Sequence, residues 1–371
     1  MELSVNLSRV TNDTSTEDGD PADEEDFEHQ YAGTLSFALY QVVVPTLFGA
    51  ISVVGIAGNS LVIYVILSRH QMRTVINLML LNLAIADLSF VLIVPPFTAY
   101  HFAASSWPFG DLLCKLMHYS VNLTAYVTVY TLVMIAVIRY MTVVRSVQTM
   151  RIRTRRNIVL AIVAIWAVML VVNLPILTSY GVKVHAEGYT ECDHGGPEIG
   201  KRIFATFFVF AYILPLAIIA VFSLCILRHI THQKTAMLQD RVTRSSSRKR
   251  QASRLLVLVV VVFALLWLPI HIHLLVAYFG SIPMDVAYQV FSVVIYCLAY
   301  FNSCVNPIIY NSTSREFRVA FHEIVCCTKD ATYRLTSVTN GSKLGITSRP
   351  NSTDRIVLTE FKAATGQAED V

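Results

Sequence analysis

Asn306-Pro307-Ile308-Ile309-Tyr310 closes the last of seven apolar segments in a chain of 371 residues. Proline removes a backbone hydrogen bond and bends a helix, and Asn and Tyr add polar groups that need partners inside hydrocarbon. The motif therefore costs free energy in a membrane helix, and we expect it there only if it has a role. Comparable costs arise at Asp87 in the second segment, at Arg139-Tyr140 ending the third, and at Trp267-Leu268-Pro269 in the sixth. Together these residues predict an all-α membrane protein whose costly groups serve a conformational switch.

The composition of the chain indicates a membrane protein. Hydrophobic residues make up 54% of the chain and charged residues 15%, which is too apolar for an ordinary soluble domain. A run of about 20 apolar residues can cross a bilayer as a helix. We predict a seven-transmembrane helix bundle, with segments at residues 40–68, 75–101, 112–144, 157–180, 203–229, 252–279 and 286–310.

The loops between these segments differ in charge. Lys and Arg are frequent after the first, third and fifth segments, whereas the loops at 102–111 and 280–285 contain neither. Cytoplasmic loops are enriched in Lys and Arg, so we expect a multi-pass plasma-membrane protein with an extracellular N-terminus and a cytoplasmic C-terminus. The first 30 residues are acidic and polar, and we expect no cleavable signal peptide there.

This orientation divides the chain into four predicted parts. Residues 1–37 are expected to form an acidic extracellular tail, and residues 38–312 the seven-helix bundle. Residues 313–327 are expected to form a short cytosolic amphipathic helix, the eighth, that lies along the membrane. Residues 328–371 are expected to form a disordered cytoplasmic tail.

Three sets of residues are expected to carry covalent modifications. Glycosylation sequons begin at Asn6 and Asn12 on the outer tail. Cys114 opens the third segment and Cys192 lies in the second outer loop, both on the oxidising side. We therefore predict a disulfide between them that holds this loop over the bundle mouth. Cys326-Cys327 follows the amphipathic stretch and is expected to be palmitoylated, the alternative being two unmodified thiols.

Asp87 lies about halfway along its segment, near the bilayer midplane. A carboxylate there costs at least about 2.5–3.5 kcal/mol, and such residues usually belong to an ion path or a switch. Polar residues on other segments are expected to converge on it: Asn59, Thr128, Asn302, Ser303 and Asn306. The set would act as a hydrogen-bonded staple between helices or as a pocket for a sodium ion that stabilises the resting state, and we expect both. No other metal or cofactor is expected.

Two further positions have a structural and a functional interpretation. Arg139, at the cytosolic boundary, would either extend to lipid phosphates or act as a switch, and we favour the switch. Trp267 lies two residues before Pro269. It would either pack in the core or act as a pivot beside the proline kink, and we favour the pivot.

These residues resemble the landmarks of the rhodopsin-like (class A) G-protein-coupled receptors over roughly residues 35–327. The matching positions are Gly58-Asn59, Leu83 to Asp87, Cys114, Arg139-Tyr140, Trp166, Pro215, Phe263, Trp267-Leu268-Pro269 and Asn306 to Tyr310. Within this family the chain is similar to galanin receptors and invertebrate allatostatin-A receptors. The similar stretches are Trp107 to Gly110, Cys114 to Tyr119, Arg153 to Asn157, Phe210 to Leu216, the valine-rich run 255–263 and Cys297 to Tyr300 before Asn302-Ser303.

The resemblance implies an extracellular ligand of the short neuropeptide class, amidated at its C-terminus. An aromatic, hydrogen-bonding cup suited to such a ligand is expected at the outer bundle mouth. Its expected residues are Tyr119, Asn122, His271, His273, Tyr278, Phe291 and Tyr296. Among them, His271 matches a ligand-contacting histidine of galanin-type receptors, whereas helix packing is the alternative role of His273.

The resemblance also implies a mechanism, in which the agonist favours a state with the sixth helix pivoted about Pro269 and a cytosolic cleft open beside Arg139. The expected switch residues are Arg139, Tyr140, Pro215, Phe263, Trp267, Pro269 and Tyr310. The expected partners are a heterotrimeric G protein of the inhibitory (Gi/o) class, a receptor kinase and arrestin acting on the Ser- and Thr-rich tail, and membrane lipid. No nucleic-acid partner is expected.

Two departures from the family pattern concern activation. Ile138 replaces the acidic residue that pairs with the switch arginine, and Ser223 replaces a tyrosine that helps to hold the active state. They predict raised basal activity or a different restraint on Arg139. They also leave open a non-signalling or constitutively active orphan receptor, or another peptide receptor subfamily.

Other classes of protein fit the sequence less well. A retinal protein would need a lysine in the last segment, and residues 286–310 contain none. A transporter would show paired halves. We expect no enzyme, because His271 and His273 are two residues apart on a helix and no phosphate loop or nucleophile elbow is evident.

Overall fold

The computed structural model describes residues 39–104, 106–186, 188–236, 244–280 and 286–325. Within these ranges seven helices are long and apolar enough to cross a membrane, which confirms the predicted helical bundle. The predictions for Asn6, Asn12, Cys326 and Cys327 and for the two tails lie outside the described residues.

The spanning helices are called first to seventh in chain order. The first three cover Val44–Ser68, Val75–Ala104 and Gly110–Val143, with a π-helical turn at Leu39–Val43 and a short 3-10 helix at His70–Met72. The fourth comprises Arg155–Val172 and a short continuation, Ile176–Ser179. The fifth comprises Pro197–Phe207, a π-helical stretch Phe208–Ile213 and Leu214–Ala236. The sixth is Arg244–Phe279, the seventh is Val286–Thr313, and an amphipathic helix, Arg315–Val325, follows.

Capping residues and prolines explain several of these boundaries. Thr154 caps the fourth helix, because its side-chain oxygen accepts a hydrogen bond from the Asn157 backbone N–H at 3.3 Å. The same helix is interrupted after Val172, just before Pro175, which lacks the N–H that a continuing helix would use. The π-helical stretch of the fifth helix ends two residues before Pro215, whose missing N–H likewise disturbs the regular ladder.

Small residues bring the first helix close to its neighbours. A Cβ atom at Gly55 would lie 2.7 Å from Val91 Cγ1, and one at Gly58 would lie 3.1 Å from Pro307 Cγ. Helices in a bilayer gain little from hydrophobic burial against each other and depend on such close packing. The glycines thus fix the distances from the first helix to the second and seventh.

The amphipathic helix is tied to the end of the bundle at which the seventh helix ends. Its buried face includes Phe317, whose ring centroid lies 5.6 Å from that of Tyr310 in the seventh helix. On its polar face, Glu323 Oε2 pairs with Arg69 Nη2 at 2.6 Å. The eighth helix predicted from the sequence is therefore present, and its position is set by both apolar and ionic contacts.

A β-hairpin covers the outer end of the bundle. Strands β1 (Tyr180–Val184) and β2 (Thr190–His194) are antiparallel, with Val182 opposite Cys192. The sequence predicted that a disulfide holds this loop over the mouth but did not predict the strands.

Candidate functional site

Asp87 is the centre of a polar network in the middle of the bundle. Only 2% of its surface is exposed, and its Oδ2 atom accepts a hydrogen bond of 2.8 Å from Asn306 Nδ2. The Ser303 side chain also hydrogen-bonds to Asp87. These bonds link the second helix to the seventh beside Pro307, where the helical ladder is already interrupted.

The residues predicted to surround Asp87 are brought together. Asn59 Nδ2 donates to the carbonyl oxygens of Gly55 at 2.9 Å and Ser303 at 2.8 Å, while the buried Asn59 Oδ1 has no partner among the described residues. A cavity beside the network is lined by Asp87, Phe90, Thr124, Ala125, Thr128, Phe263, Trp267, Ala299, Asn302 and Ser303. Carboxylate, hydroxyl and amide oxygens are the donors that hard cations prefer, so this set fits a sodium ion.

Trp267 lies between this cavity and the outer half of the bundle. It lines the cavity, and its ring centroid is 5.9 Å from Phe263, 5.8 Å from Phe207 and 6.0 Å from His271. Its indole Nε1 is buried without a hydrogen-bond partner in the described part of the chain. Pro269 lies two residues further along the same helix, and the Trp267 side chain makes no hydrogen bond that holds its orientation in the described part of the chain.

Arg139 is buried near the C-terminal end of the third helix. Its side chain is 6% exposed and its Nε has no hydrogen-bond partner, and no ion pair joins it to a carboxylate within the described ranges. The preceding Ile138 is also buried. The restraint that an adjacent acid would supply is therefore absent.

Two further predicted switch residues, Tyr140 and Tyr310, lie near the same end of the bundle. The Tyr140 ring centroid lies 5.3 Å from that of Phe222 on the fifth helix. Tyr310 is fully buried, and its hydroxyl lacks a partner among the described residues. Ser223, one residue after Phe222, is half-buried. This end of the bundle thus contains two buried polar groups that cost free energy, the Arg139 guanidinium and the Tyr310 hydroxyl. Another conformation could supply their missing hydrogen-bond partners.

The outer hairpin is fastened to the bundle at several points. The predicted disulfide between Cys114 and Cys192 is formed. The Trp107 N–H donates to the Thr190 carbonyl at 2.8 Å, and the Thr190 hydroxyl donates to the Trp107 carbonyl at 2.6 Å. The Val182 N–H donates to Asp111 Oδ1 at 3.1 Å. The hairpin is therefore a fixed cover of the bundle mouth.

Side-chain pairs also join the two sides of the hairpin. Lys183 Nζ lies 2.5 Å from Asp193 Oδ2, and His185 Nε2 lies 2.9 Å from Glu191 Oε2. Burial alone would raise the pKa of the Asp193 carboxyl, but the hydrogen bond from Lys183 contributes to a pKa below the usual value. Burial raises the pKa of the Tyr180 hydroxyl, which therefore stays protonated at neutral pH.

Beneath the hairpin lies an outer cavity of about 540 Å³ of empty space, part of it open to solvent. Its lining residues are Phe48, Thr98, His101, Phe102, Trp107, Met117, His118, Cys192, Tyr296 and Tyr300. Of the residues predicted to contact a ligand, Tyr296 is in this set. The others in the lining were not predicted to contact a ligand, although the aromatic and histidine residues near the outer ends of the second, third and seventh segments were a usable signal.

Three predicted ligand residues lie instead among aromatic rings of the fifth to seventh helices. His271 is 2% exposed, and its ring centroid lies 4.3 Å from that of Tyr212. His273 stacks on Tyr288 with centroids 5.3 Å apart. The Tyr278 centroid lies 5.7 Å from that of Phe204. These residues form a second aromatic group, which adjoins the outer cavity because the His273 ring centroid lies 5.8 Å from that of Tyr296.

The other three predicted ligand residues differ in position. Asn122 is buried and donates to the His118 carbonyl at 3.0 Å, one turn below the outer cavity. The Tyr119 hydroxyl donates to the Leu170 carbonyl on the fourth helix at 2.7 Å. Phe291 is 61% exposed. Neither Tyr119 nor Phe291 lines the outer cavity.

A seven-helix bundle with a covered cavity at one end, a buried polar centre and an arginine without an ion pair at the other end is an architecture typical of helical membrane receptors. Residues 58–310 match the family described as 7 transmembrane receptor (rhodopsin family), and the chain belongs to that family.

Similar proteins include peptide receptors of insects and vertebrates. The chain is 38% identical over 310 residues to an allatostatin-A receptor of Bombyx mori, covering 81% of this chain and 84% of that one. It is 36% identical over 290 residues to the human galanin receptor type 1, covering 77% of this chain and 82% of the relative. It is 34% identical over 289 residues to galanin receptor 2b of Danio rerio, covering 77% and 75%.

Proposed function

We propose that this chain is a plasma-membrane receptor for a short extracellular neuropeptide and that the bound peptide activates a cytosolic heterotrimeric G protein. The relationship to allatostatin-A and galanin receptors supports a peptide ligand. The aromatic lining of the outer cavity supports the same class of ligand, since aromatic walls with a few polar groups suit peptide side chains.

The observation that carries this proposal is the position of Trp267. It contacts His271 in the second aromatic group and also lines the cavity beside Asp87. A ligand that displaces the rings of this group would therefore act on the polar centre through Trp267. Movement of Trp267 would then favour the conformation in which the sixth helix pivots about Pro269. The Arg139 guanidinium and the Tyr310 hydroxyl would find partners in that conformation.

A peptide panel tests the proposal. Cells that express the full chain receive allatostatin-A, galanin and other neuropeptides, and activation of each G-protein class is recorded. We expect a saturable response through the inhibitory (Gi/o) class. Trp267→Phe should lower the maximal response without weakening peptide binding, whereas Trp166→Phe, at a tryptophan that bonds to Asn82 at 2.8 Å, should not. A panel that produces neither binding nor activation would overturn the proposal.

The second candidate function is that of a receptor that signals without a ligand, or of one that does not signal at all. It is favoured by the unpaired Arg139 beside Ile138 and by Ser223. The same assay separates it from the first, because a constitutive receptor would show full activity before the peptide is added.

Further parts of the proposal concern the ion and the cytosolic partners. A sodium ion bound by the oxygens around Asp87 would stabilise the resting conformation. Basic residues after the third and fifth helices would border the G protein, and phosphorylation of the Ser- and Thr-rich tail by a receptor kinase would recruit arrestin. Palmitoyl groups on Cys326 and Cys327 would anchor the end of the amphipathic helix in lipid.

A further inference from the structure

The outer cavity has an aromatic wall and no full charge. Five of its lining residues are Phe48, Phe102, Trp107, Tyr296 and Tyr300, and no Asp, Glu, Lys or Arg lines it among the described residues. Such a wall favours a flat aromatic group. It offers no counter-ion to a carboxylate or an ammonium group.

His118 lines this cavity and has one polar side-chain atom without a hydrogen-bond partner in the described part of the chain. That atom is Nε2, and the residue is 6% exposed. Its ring is held in place by stacking on Tyr180 of the hairpin, with centroids 3.8 Å apart and planes 11° apart. A buried polar atom left without a partner costs about 1–3 kcal/mol, so a ligand that bonds to it gains affinity.

His101 has the second such atom. Its Nδ1 is buried without a partner among the described residues. In the neutral ring Nδ1 accepts a hydrogen bond when the proton is on Nε2.

We propose that the outer cavity is a subsite for a phenol, the tyrosine side chain of the extracellular ligand, whose hydroxyl donates to His101 Nδ1 and accepts from His118 Nε2–H. The assignment of the occupant to a peptide rests on the proposed function. The chemistry of the site does not. A phenol combines an aromatic ring with one donor and free acceptor positions. Indole only donates, a carboxylate only accepts, phenylalanine does neither, and a carboxamide lacks the ring.

A matched pair of small probes tests the subsite without any known agonist. Purified full-length receptor with 13C-methyl methionine is titrated with N-acetyl-L-tyrosinamide and with N-acetyl-L-phenylalaninamide, which differ by one hydroxyl. The reporter is the resonance of Met117, which lines the cavity, assigned from its loss in Met117→Leu. We expect a saturable shift with both probes and about fivefold to tenfold tighter binding of the tyrosine compound.

Histidine variants identify the atoms responsible. His118→Phe keeps a ring that can stack on Tyr180, and with His101→Phe it should remove the preference for the tyrosine compound while leaving the phenylalanine compound bound. His70→Phe, at an exposed histidine in the cytosolic 3-10 helix, is the matched control and should keep the preference. If a cavity variant does not fold, the comparison of the two probes on the unaltered receptor still decides.

Two results would overturn the subsite. Equal affinity of the two probes would mean an aromatic or amide occupant whose hydroxyl is not recognised. An unchanged Met117 resonance would mean that the cavity takes neither. Both results are independent of the peptide panel, so failure of the subsite and failure of the proposed receptor function are distinguishable.

Discussion

Asp87 and Asn306 show how a costly residue can be retained in the middle of a membrane protein. A carboxylate at the centre of a bilayer helix costs about 2.5–3.5 kcal/mol, and a hydrogen bond to a charged group returns about 1.5–3 kcal/mol. The 2.8 Å bond from Asn306 therefore offsets much of this cost but leaves the charge itself uncompensated. A cation in the adjoining cavity would compensate it, and its departure would release the link between the second and seventh helices.

Sodium should therefore stabilise the purified receptor through Asp87. Replacing potassium by sodium at equal ionic strength should raise the Tm of the wild type by a few degrees, because a ligand that binds only the folded state shifts unfolding by mass action. Asp87→Asn should remove the difference between the two salts. Asp111→Asn, at a carboxylate in the outer part of the molecule, should retain it. Thermal unfolding that is indifferent to sodium in the wild type would contradict the ion site.

Ile138 allows a second prediction at the scale of one residue. Ile138→Asp places a carboxylate beside the unpaired Arg139 and should stabilise the resting conformation. A pairing worth about 1.4 kcal/mol in that conformation alone would lower ligand-independent signalling about tenfold. The measurement is second-messenger output without peptide, normalised to receptor at the cell surface. Ile138→Asn is the uncharged control, and equal basal output of the wild type and the Asp variant would rule out this role for Ile138.

The positions of Asp87, Arg139 and Trp267 could be predicted because each residue is expensive where it occurs. The direction of a ligand-facing side chain could not. His118 lines the outer cavity, whereas Tyr119, one residue on and about 100° further around the helix, bonds to the fourth helix. The sequence alone left the rotation of the third helix free, and the structure sets it through the disulfide at Cys114 and the packing around it.

At the scale of elements, the helices were predictable and the hairpin was not. Long apolar runs specify spanning helices, because in hydrocarbon the backbone must satisfy its own hydrogen bonds. The helix ends were predicted less closely, and the sixth helix begins at Arg244, eight residues before its predicted start at 252. Strands β1 and β2 are five residues each and depend on distant partners, such as the bonds between Thr190 and Trp107. Local sequence patterns do not reveal such distant contacts, so the two strands could not be predicted from them.

The amphipathic helix likewise combines a feature that the sequence predicts with one that it does not. The amphipathic helix follows from the alternation of apolar and charged residues after the seventh helix, and its existence was predicted. Its attachment through Glu323 to Arg69 joins residues far apart in sequence and was not. The attachment holds the helix against the first cytosolic connection, next to the buried Tyr310.

At the scale of the whole molecule, the polar groups form a path from one face of the membrane to the other. The outer cavity, the aromatic group with Trp267, the Asp87 centre and Arg139 follow in this order from the hairpin to the opposite end of the bundle. Under the proposed function a signal would pass along this order, with the prolines of the sixth and seventh helices as sites of bending. This path has a direction only if the hairpin faces outward.

The orientation is tested by glycosylation, because the chain has sequons in both tails. Asn6 and Asn12 precede the bundle, and Asn340 and Asn351 follow it. Only sequons that enter the secretory lumen receive a glycan, and basic loops after the first, third and fifth helices place the N-terminal pair there. Asn6→Gln with Asn12→Gln should abolish the glycosidase-sensitive mass of the receptor, whereas Asn340→Gln with Asn351→Gln should leave it unchanged. The reverse result would place the hairpin and its disulfide in the reducing cytosol, where a peptide from outside could not reach the cavity.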